Sequence, residues 1–300
     1  MKLLKFAAID IGSNAVRLLF MNVIEDNSDV YFKKSSLVRV PVRLGDDAFY
    51  NGGVIGAAKI EKLMHTMTAF MHLMTVHDVV SFRACATSAM REAANSAHVV
   101  SYIKDKTGVE INVIDGQQEA ELIYANRIVE MIKKEGAYLY VDVGGGSTEV
   151  TLFSKMKVVA TGSFNLGTIR FIKGEDTSRE KKRLREFVKG LSARYRPVEL
   201  IGSGGNINKV FKLSGKKEGV PLTLKNLRDI YEFIDSFTID ERIRDLGFNP
   251  DRADVIIPAT NVFLKIMKWT GAKRILVPKI GVSDGIVHHL YNSYRAGKEI

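Results

Sequence analysis

Two stretches of the chain carry the same order of apolar and polar positions. Ala8 to Asn14 reads "AIDIGSN" and Tyr140 to Gly146 reads "YVDVGGG", an apolar–Asp–apolar–Gly pattern repeated at a displacement of 132 residues. Behind each copy an alternation of period two resumes, through Val16, Leu18 and Phe20 in the first and Val150 and Leu152 in the second. Period two places alternate side chains on opposite faces of a strand, so each copy predicts a strand, a tight glycine turn and a second strand. A third glycine cluster, "LIGSGGN" at 200–206, follows another short apolar strand. Elsewhere the apolar spacing lengthens to that of a helix. Leu63, Met67, Phe70, Met71 and Met74 make one core face, and Leu184, Phe187, Val188, Leu191 and Tyr195 make another inside the basic stretch 179–196. A further helix opens after Asp115 and runs to about Lys134, with Gly136 as its stop. Strands alternating with helices in two related halves predict a duplicated α/β chain.

Glycine runs allow backbone amides to approach a ligand closely, and a concave set of amides binds anions. Neither a Walker-type loop nor a dinucleotide-binding glycine fingerprint occurs. Three strand-end glycine loops, two of them tipped by aspartate, nevertheless predict a phosphate site. Asp115 stands three residues before Gln118, as in a capping box, which puts Glu119 in the first helical turn, where a carboxylate can orient and deprotonate a water. In "ACATSAMREAAN", Thr87 and Ser88 are candidate N-caps, and Arg91 lies in the following turn with a guanidinium suited to phosphate oxygens. His65 and His72 are ordinary residues of the Met-rich helix, and His77–Asp78 lacks further metal ligands. His288 and His289 point in different directions on one helix.

Composition narrows the partners. The 300 residues suit two domains, and a formal net charge of +10 favours polyanions without naming one. No helix-turn-helix, zinc-finger spacing or aromatic RNA-binding strand supports nucleic acid, and the basic helix reads as a solvated face. No apolar run reaches membrane-spanning length. The opening "MKLLKFAAIDIG" reads as a first strand rather than a leader, and Cys85, the single cysteine, excludes an intrachain disulfide. A cytoplasmic location is expected.

Taken in order, "AAIDIGSN", "ATSAMREAAN", "DGQQEAELIY", "VDVGGGSTE", "SFNLGTIR" and "IGSGGN" resemble the exopolyphosphatase and guanosine pentaphosphate phosphohydrolase family, over essentially the whole chain. The resemblance implies an α/β fold of two ribonuclease-H-like domains, of the actin-like ATPase and sugar kinase superfamily, facing across a cleft. The domains are expected at 1–122 and 123–300, with a helix at about 286–300 packing back on the first. It also implies Mg2+-dependent hydrolysis of the terminal phosphate of polyphosphate or guanosine pentaphosphate. Residue by residue, Glu119 is the implied base. Asp142 and Glu149 are the implied magnesium carboxylates, with Asp10 a further candidate. Gly12, Ser13, Asn14, Arg91, Gly144, Gly145, Gly146, Ser147, Gly204 and Gly205 are the implied phosphate ligands. The chain departs from the family pattern in having Gln118 before Glu119, where many members have a second glutamate. It departs again at Gly281–Gly285, which reads Gly-Val-Ser-Asp-Gly in place of Gly-Leu-Arg-Glu-Gly and so lacks an arginine. An ATP-using kinase or ATPase of the same superfamily, and a catalytically weak polyphosphate or alarmone sensor, are the alternatives; a homodimer stays open.

Overall fold

The computed structural model describes residues 1–125, 133–196 and 198–297. The chain divides into two compact units, residues 1–126 together with 281–300, and residues 127–280. The expected continuation of the Asp115 helix towards Lys134 runs through 126–132, outside the described residues.

In the first unit, β1 (Lys2–Ile11), β2 (Val16–Asp26), β3 (Asp29–Val40), β4 (Ser81–Ala86) and β5 (Ile111–Val113) form a sheet in the order β3-β2-β1-β4-β5. The β1–β2 and β2–β3 pairs are antiparallel, and the β1–β4 and β4–β5 pairs are parallel. From Phe6 to Ile11 every position of β1 is buried. That continuous run is what a central strand covered on both faces requires. One face packs against the Ala57–Val76 helix through Leu63, Met67, Phe70 and Met74, as its spacing predicts.

The second unit repeats the plan. β6 (Ala137–Val143), β7 (Thr148–Ser154), β8 (Lys157–Phe164), β9 (Val198–Ser203), β10 (Leu222–Thr223) and β11 (Arg274–Leu276) lie in the order β8-β7-β6-β9-β11-β10. Apart from the short antiparallel edge strand β10, order and strand direction match the first sheet. The correspondence extends to an irregularity. The β2–β3 register shifts between Phe20 and Met21, and the β7–β8 register shifts between Leu152 and Phe153, the same 132 residues further on. Such bulges bend and twist a sheet locally. The chain is therefore an α/β protein with two sheets of ribonuclease-H-like order.

The helix Val282–Arg295 belongs to the first unit, where it contacts β1 and the Gly116–Ala125 helix. Its buried Ile286, Val287, Leu290 and Tyr291 supply the apolar face, and the Tyr291 ring meets Phe6 edge-on at 6.1 Å. Asp284 fixes its start. It accepts from the Gly281 amide at 2.9 Å and pairs with Lys34 at 2.7 Å. Burial pushes the Asp284 carboxyl above its usual range, although Lys34 acts in the opposite direction. Among the described residues no helix is long and apolar enough to cross a membrane.

Gly285 is where the returning helix comes closest to its neighbour, for a Cβ there would overlap the Leu122 carbonyl. Gly285→Ala is expected to cost on the order of 2 kcal/mol or more, seen as a lowered midpoint in urea unfolding.

Candidate active site

The parallel strands β1, β4 and β5 end side by side, and main-chain bonds continue the sheet past them. The Thr87 amide donates to the Ile11 carbonyl at 3.1 Å, and the Ile114 amide donates to the Ala86 carbonyl at 2.9 Å. The Gly12–Asn14 turn, the Thr87–Arg91 segment and the Asp115–Glu119 segment therefore leave from one sheet edge. The carboxyl ends of parallel strands are where open α/β sheets place ligands.

Glu119 is held there by a local device. Asp115 Oδ1 accepts from the amides of Gln117 and Gln118 at 2.9 and 2.8 Å, while the Gln118 side chain accepts from the Asp115 amide at 3.0 Å. This is a capping box, worth about 1 kcal/mol, and it gives Gln118 a job in which its neutral side chain suffices. Glu119 itself is only 6% exposed. Arg91 donates to the Ile114 carbonyl at 2.7 Å and lies 3.5 Å from Glu119 Oε2.

Thr87 is the N-cap of the Ser88–Glu92 helix, but its side chain makes no capping bond. Ser88 instead shares a 2.9 Å hydrogen bond with Ser13, tying this turn to the glycine loop. Cys85, on β4 directly beside Asp10 of β1, is 1% exposed, and burial with the nearby Asp10 and Glu119 charges pushes its thiol up to about 11.

The second unit presents its own set. The Gly144 amide donates to the Ser147 carbonyl at 2.9 Å, as the Gly12 amide does to Ala15 at 3.1 Å. The carbonyls between are also taken. Ile169 donates to Gly145 at 2.8 Å and Arg170 Nε to Gly146 at 2.7 Å, as Gly45 and Arg43 donate to Ser13 and Asn14 in the first unit. Among the described residues the amides of Gly145 and Gly146 find no protein acceptor, so the loop offers donors to an anion. Gly204, at φ 103°, begins the Gly205–Leu213 helix, and a Cβ there would lie 2.9 Å from Asp142 Oδ1. Only glycine fits at that turn.

Asp142 and Glu149 face each other across the β6–β7 hairpin. Ser203 donates to Asp142 at 3.0 Å and Ser163 to Glu149 at 3.2 Å. In the first unit the matching pair is Asp10 and Arg17, joined at 2.7 Å. Asp10 thus faces a cation where Asp142 faces a second acid. Two hard carboxylates suit Mg2+, which completes its shell with water and phosphate oxygens. They do not suit a metal held by protein alone, for the described residues contain no group of three or more His, Cys, Asp or Glu able to hold one. The sequence motifs assign no site role to Arg17, Ser163, Arg170 or Ser203, and they mark Ser88 only as a candidate N-cap. Only Arg17 carried a signal, since it occupies the repeat position of Glu149.

Residues 23–293 match the sequence model of the Ppx/GppA phosphatase family. The chain belongs to that family. Among relatives of this Ppx/GppA chain, exopolyphosphatase 2 of Mycobacterium tuberculosis is 26% identical, covering 95% of this chain and 98% of its own length. A bifunctional 3-dehydroquinate synthase/phosphatase of Fusobacterium nucleatum is 27% identical over 90% of this chain, which spans 44% of that longer protein. A crystal structure of the Aquifex aeolicus Ppx/GppA member superposes with a TM-score of 0.76 at 26% identity, covering 98% of this chain and 99% of that one.

Two outcomes follow for the Ppx/GppA chain. A Cβ at Gly167 would overlap the Gly145 and Gly146 backbone. Gly167→Ala should therefore displace the glycine loop and lower phosphate release by on the order of 10²-fold, measured beside a circular dichroism spectrum that stays native. The Cys85 thiol ionises near 9.0 when unfolded and near 11 when folded. The folded state holds the proton longer, so stability falls as pH rises through that interval, by about 2 to 3 kcal/mol at the upper end. Urea unfolding at pH 8 and pH 11, compared with Cys85→Ala, reads this difference.

Proposed function

We propose that this chain hydrolyses the terminal phosphate of a linear phosphoanhydride, inorganic polyphosphate or guanosine pentaphosphate, with Glu119 as the base that readies the attacking water. The observation that carries the reading is Glu119 itself. A buried carboxylate is costly unless it serves something, and this one is fixed by a capping box at a sheet edge, with a guanidinium 3.5 Å away. The exopolyphosphatase name of the Mycobacterium tuberculosis relative supports the same substrate class.

Phosphoryl transfer asks chiefly for alignment and for compensation of charge on the phosphoryl oxygens. Arg91, held by the Ile114 carbonyl, is the side chain we assign to those oxygens in the first unit. In the second unit the Gly145 and Gly146 amides and the turn at Gly204 are assigned to the phosphate chain. Mg2+, held by Asp142 and Glu149, would supply Lewis-acid neutralisation of the anhydride. Asp10 is left out of that metal set because Arg17 already compensates its charge. Glu119 removes a proton from water as the oxygen attacks phosphorus and the bond to the bridging oxygen breaks, and the shortened phosphate chain leaves as an anion. Such base assistance contributes typically ~10²- to 10⁴-fold.

Glu119→Gln keeps the side chain's shape, so the helix start survives. Phosphate release from long-chain polyphosphate and from guanosine pentaphosphate with Mg2+ should drop ~10²- to 10⁴-fold in kcat with KM little changed. Equal rates for the two proteins would sink the assignment, and which substrate is turned over faster selects between them.

A further inference from the structure

The second unit contains a cavity that the proposed chemistry does not use. Its volume is about 270 Å³, and it lies between the Thr168–Ile172, Ser178–Arg194 and Ile256–Thr270 helices. Leu166, Phe171, Leu184, Ile257 and Val262 make its apolar wall. Two ammonium groups, from Lys181 and Lys265, and the indole of Trp269 complete it.

Lys181 is exposed on its helix, whereas Lys265 is half-buried. They sit on different helices, yet both side chains line the same cavity, where Lys265 feels the Lys181 charge. The charges acting on Lys265 are both positive, those of Lys181 and Lys268. Among the described residues no carboxylate pairs with Lys181 or Lys265. Desolvation, and then Lys181, pull the Lys265 pKa below its ordinary value. Two like charges held together over an apolar hollow make a place where an anion with an apolar tail gains twice, from the charge pair and from burial of its body.

We propose that this cavity is a binding site for a small amphipathic carboxylate, its carboxyl group bridging Lys181 and Lys265 and its hydrocarbon body lying on Leu184, Val262, Phe171 and Trp269. The volume limits the body to roughly medium-chain length, since drug-sized ligands occupy ~300 Å³ and more. Leu166 and Phe171 of the wall flank Ile169 and Arg170, the residues that hold the Gly145 and Gly146 carbonyls. The site thus shares the 166–171 segment with the residues that hold the glycine loop of its own unit. The proposal is independent of the role assigned to Glu119.

Trp269 is the single tryptophan of the chain, so fluorescence excited selectively at tryptophan, beyond the tyrosine absorption, reports on the wall of this cavity. Titration with butanoate, hexanoate and octanoate should give a saturable change, with affinity rising roughly fourfold per methylene. Octanol, which lacks the charge, should bind at least tenfold more weakly than octanoate. Lys181→Met/Lys265→Met should weaken octanoate at least tenfold while urea unfolding stays as in the natural chain. Glu119→Gln should leave the titration unchanged. No saturation with octanoate would overturn the proposal, as would octanol binding equally well or the lysine variant binding unchanged; each marks a packing gap. Inorganic phosphate displacing octanoate at comparable concentration would also overturn it, in favour of a bare anion site.

Discussion

The constraint on which both units depend is that a turn made of small residues must have its carbonyl oxygens satisfied from within. A buried main-chain oxygen without a donor costs about as much as a lost hydrogen bond. At Gly12–Ala15 and Gly144–Ser147 the answer is the same. The first amide of the turn closes the hairpin, and donors from the next short helix or the residues leading into it take the carbonyls at its tip. With the oxygens engaged, the turn cannot flip its peptides. Its remaining amides are committed to one direction, as an anion needs from a host without bulky side chains. The aspartate before each turn is governed by what lies opposite on the neighbouring strand, Arg17 in one copy and Glu149 in the other. One substitution between equivalent positions separates a compensated acid from a pair of acids.

Much of this was legible in the sequence where the cause is local or periodic. Alternation around Asp10 and Asp142 gave the hairpins, because side-chain direction in a strand has a fixed period. The Asp115–Gln118 capping box spans three residues and needs only the helix it starts, so the structure forms it as read. The fold class followed from the duplication, and the matching bulges at Phe20 and Leu152 record it down to the register.

What escaped reading was long-range. Ser88 had the right identity for an N-cap, but its hydroxyl goes to Ser13, a partner distant in sequence that the sheet brings alongside. At 283–284 the sequence offered only a missing arginine. In the structure Asp284 caps its helix through Gly281 and pairs with Lys34, a partner far earlier in the chain. Arg170 was visible in a motif, yet its task of holding the Gly146 carbonyl depends on a turn no spacing rule connects to it. Side chains that serve another segment's backbone leave no periodic trace.

The return of the Val282–Arg295 helix to the first unit has a consequence for biosynthesis. Residues 127–280 form a compact unit from one uninterrupted segment, whereas the first unit is completed by residues 281–300, which are made only after all of the second. Domains tend to consolidate as they emerge from the ribosome. Here Phe6 of β1 leaves the ribosome long before Tyr291, the ring that meets it edge-on, has been made. The nascent chain must keep that strand from misassociating through the synthesis of the whole second unit.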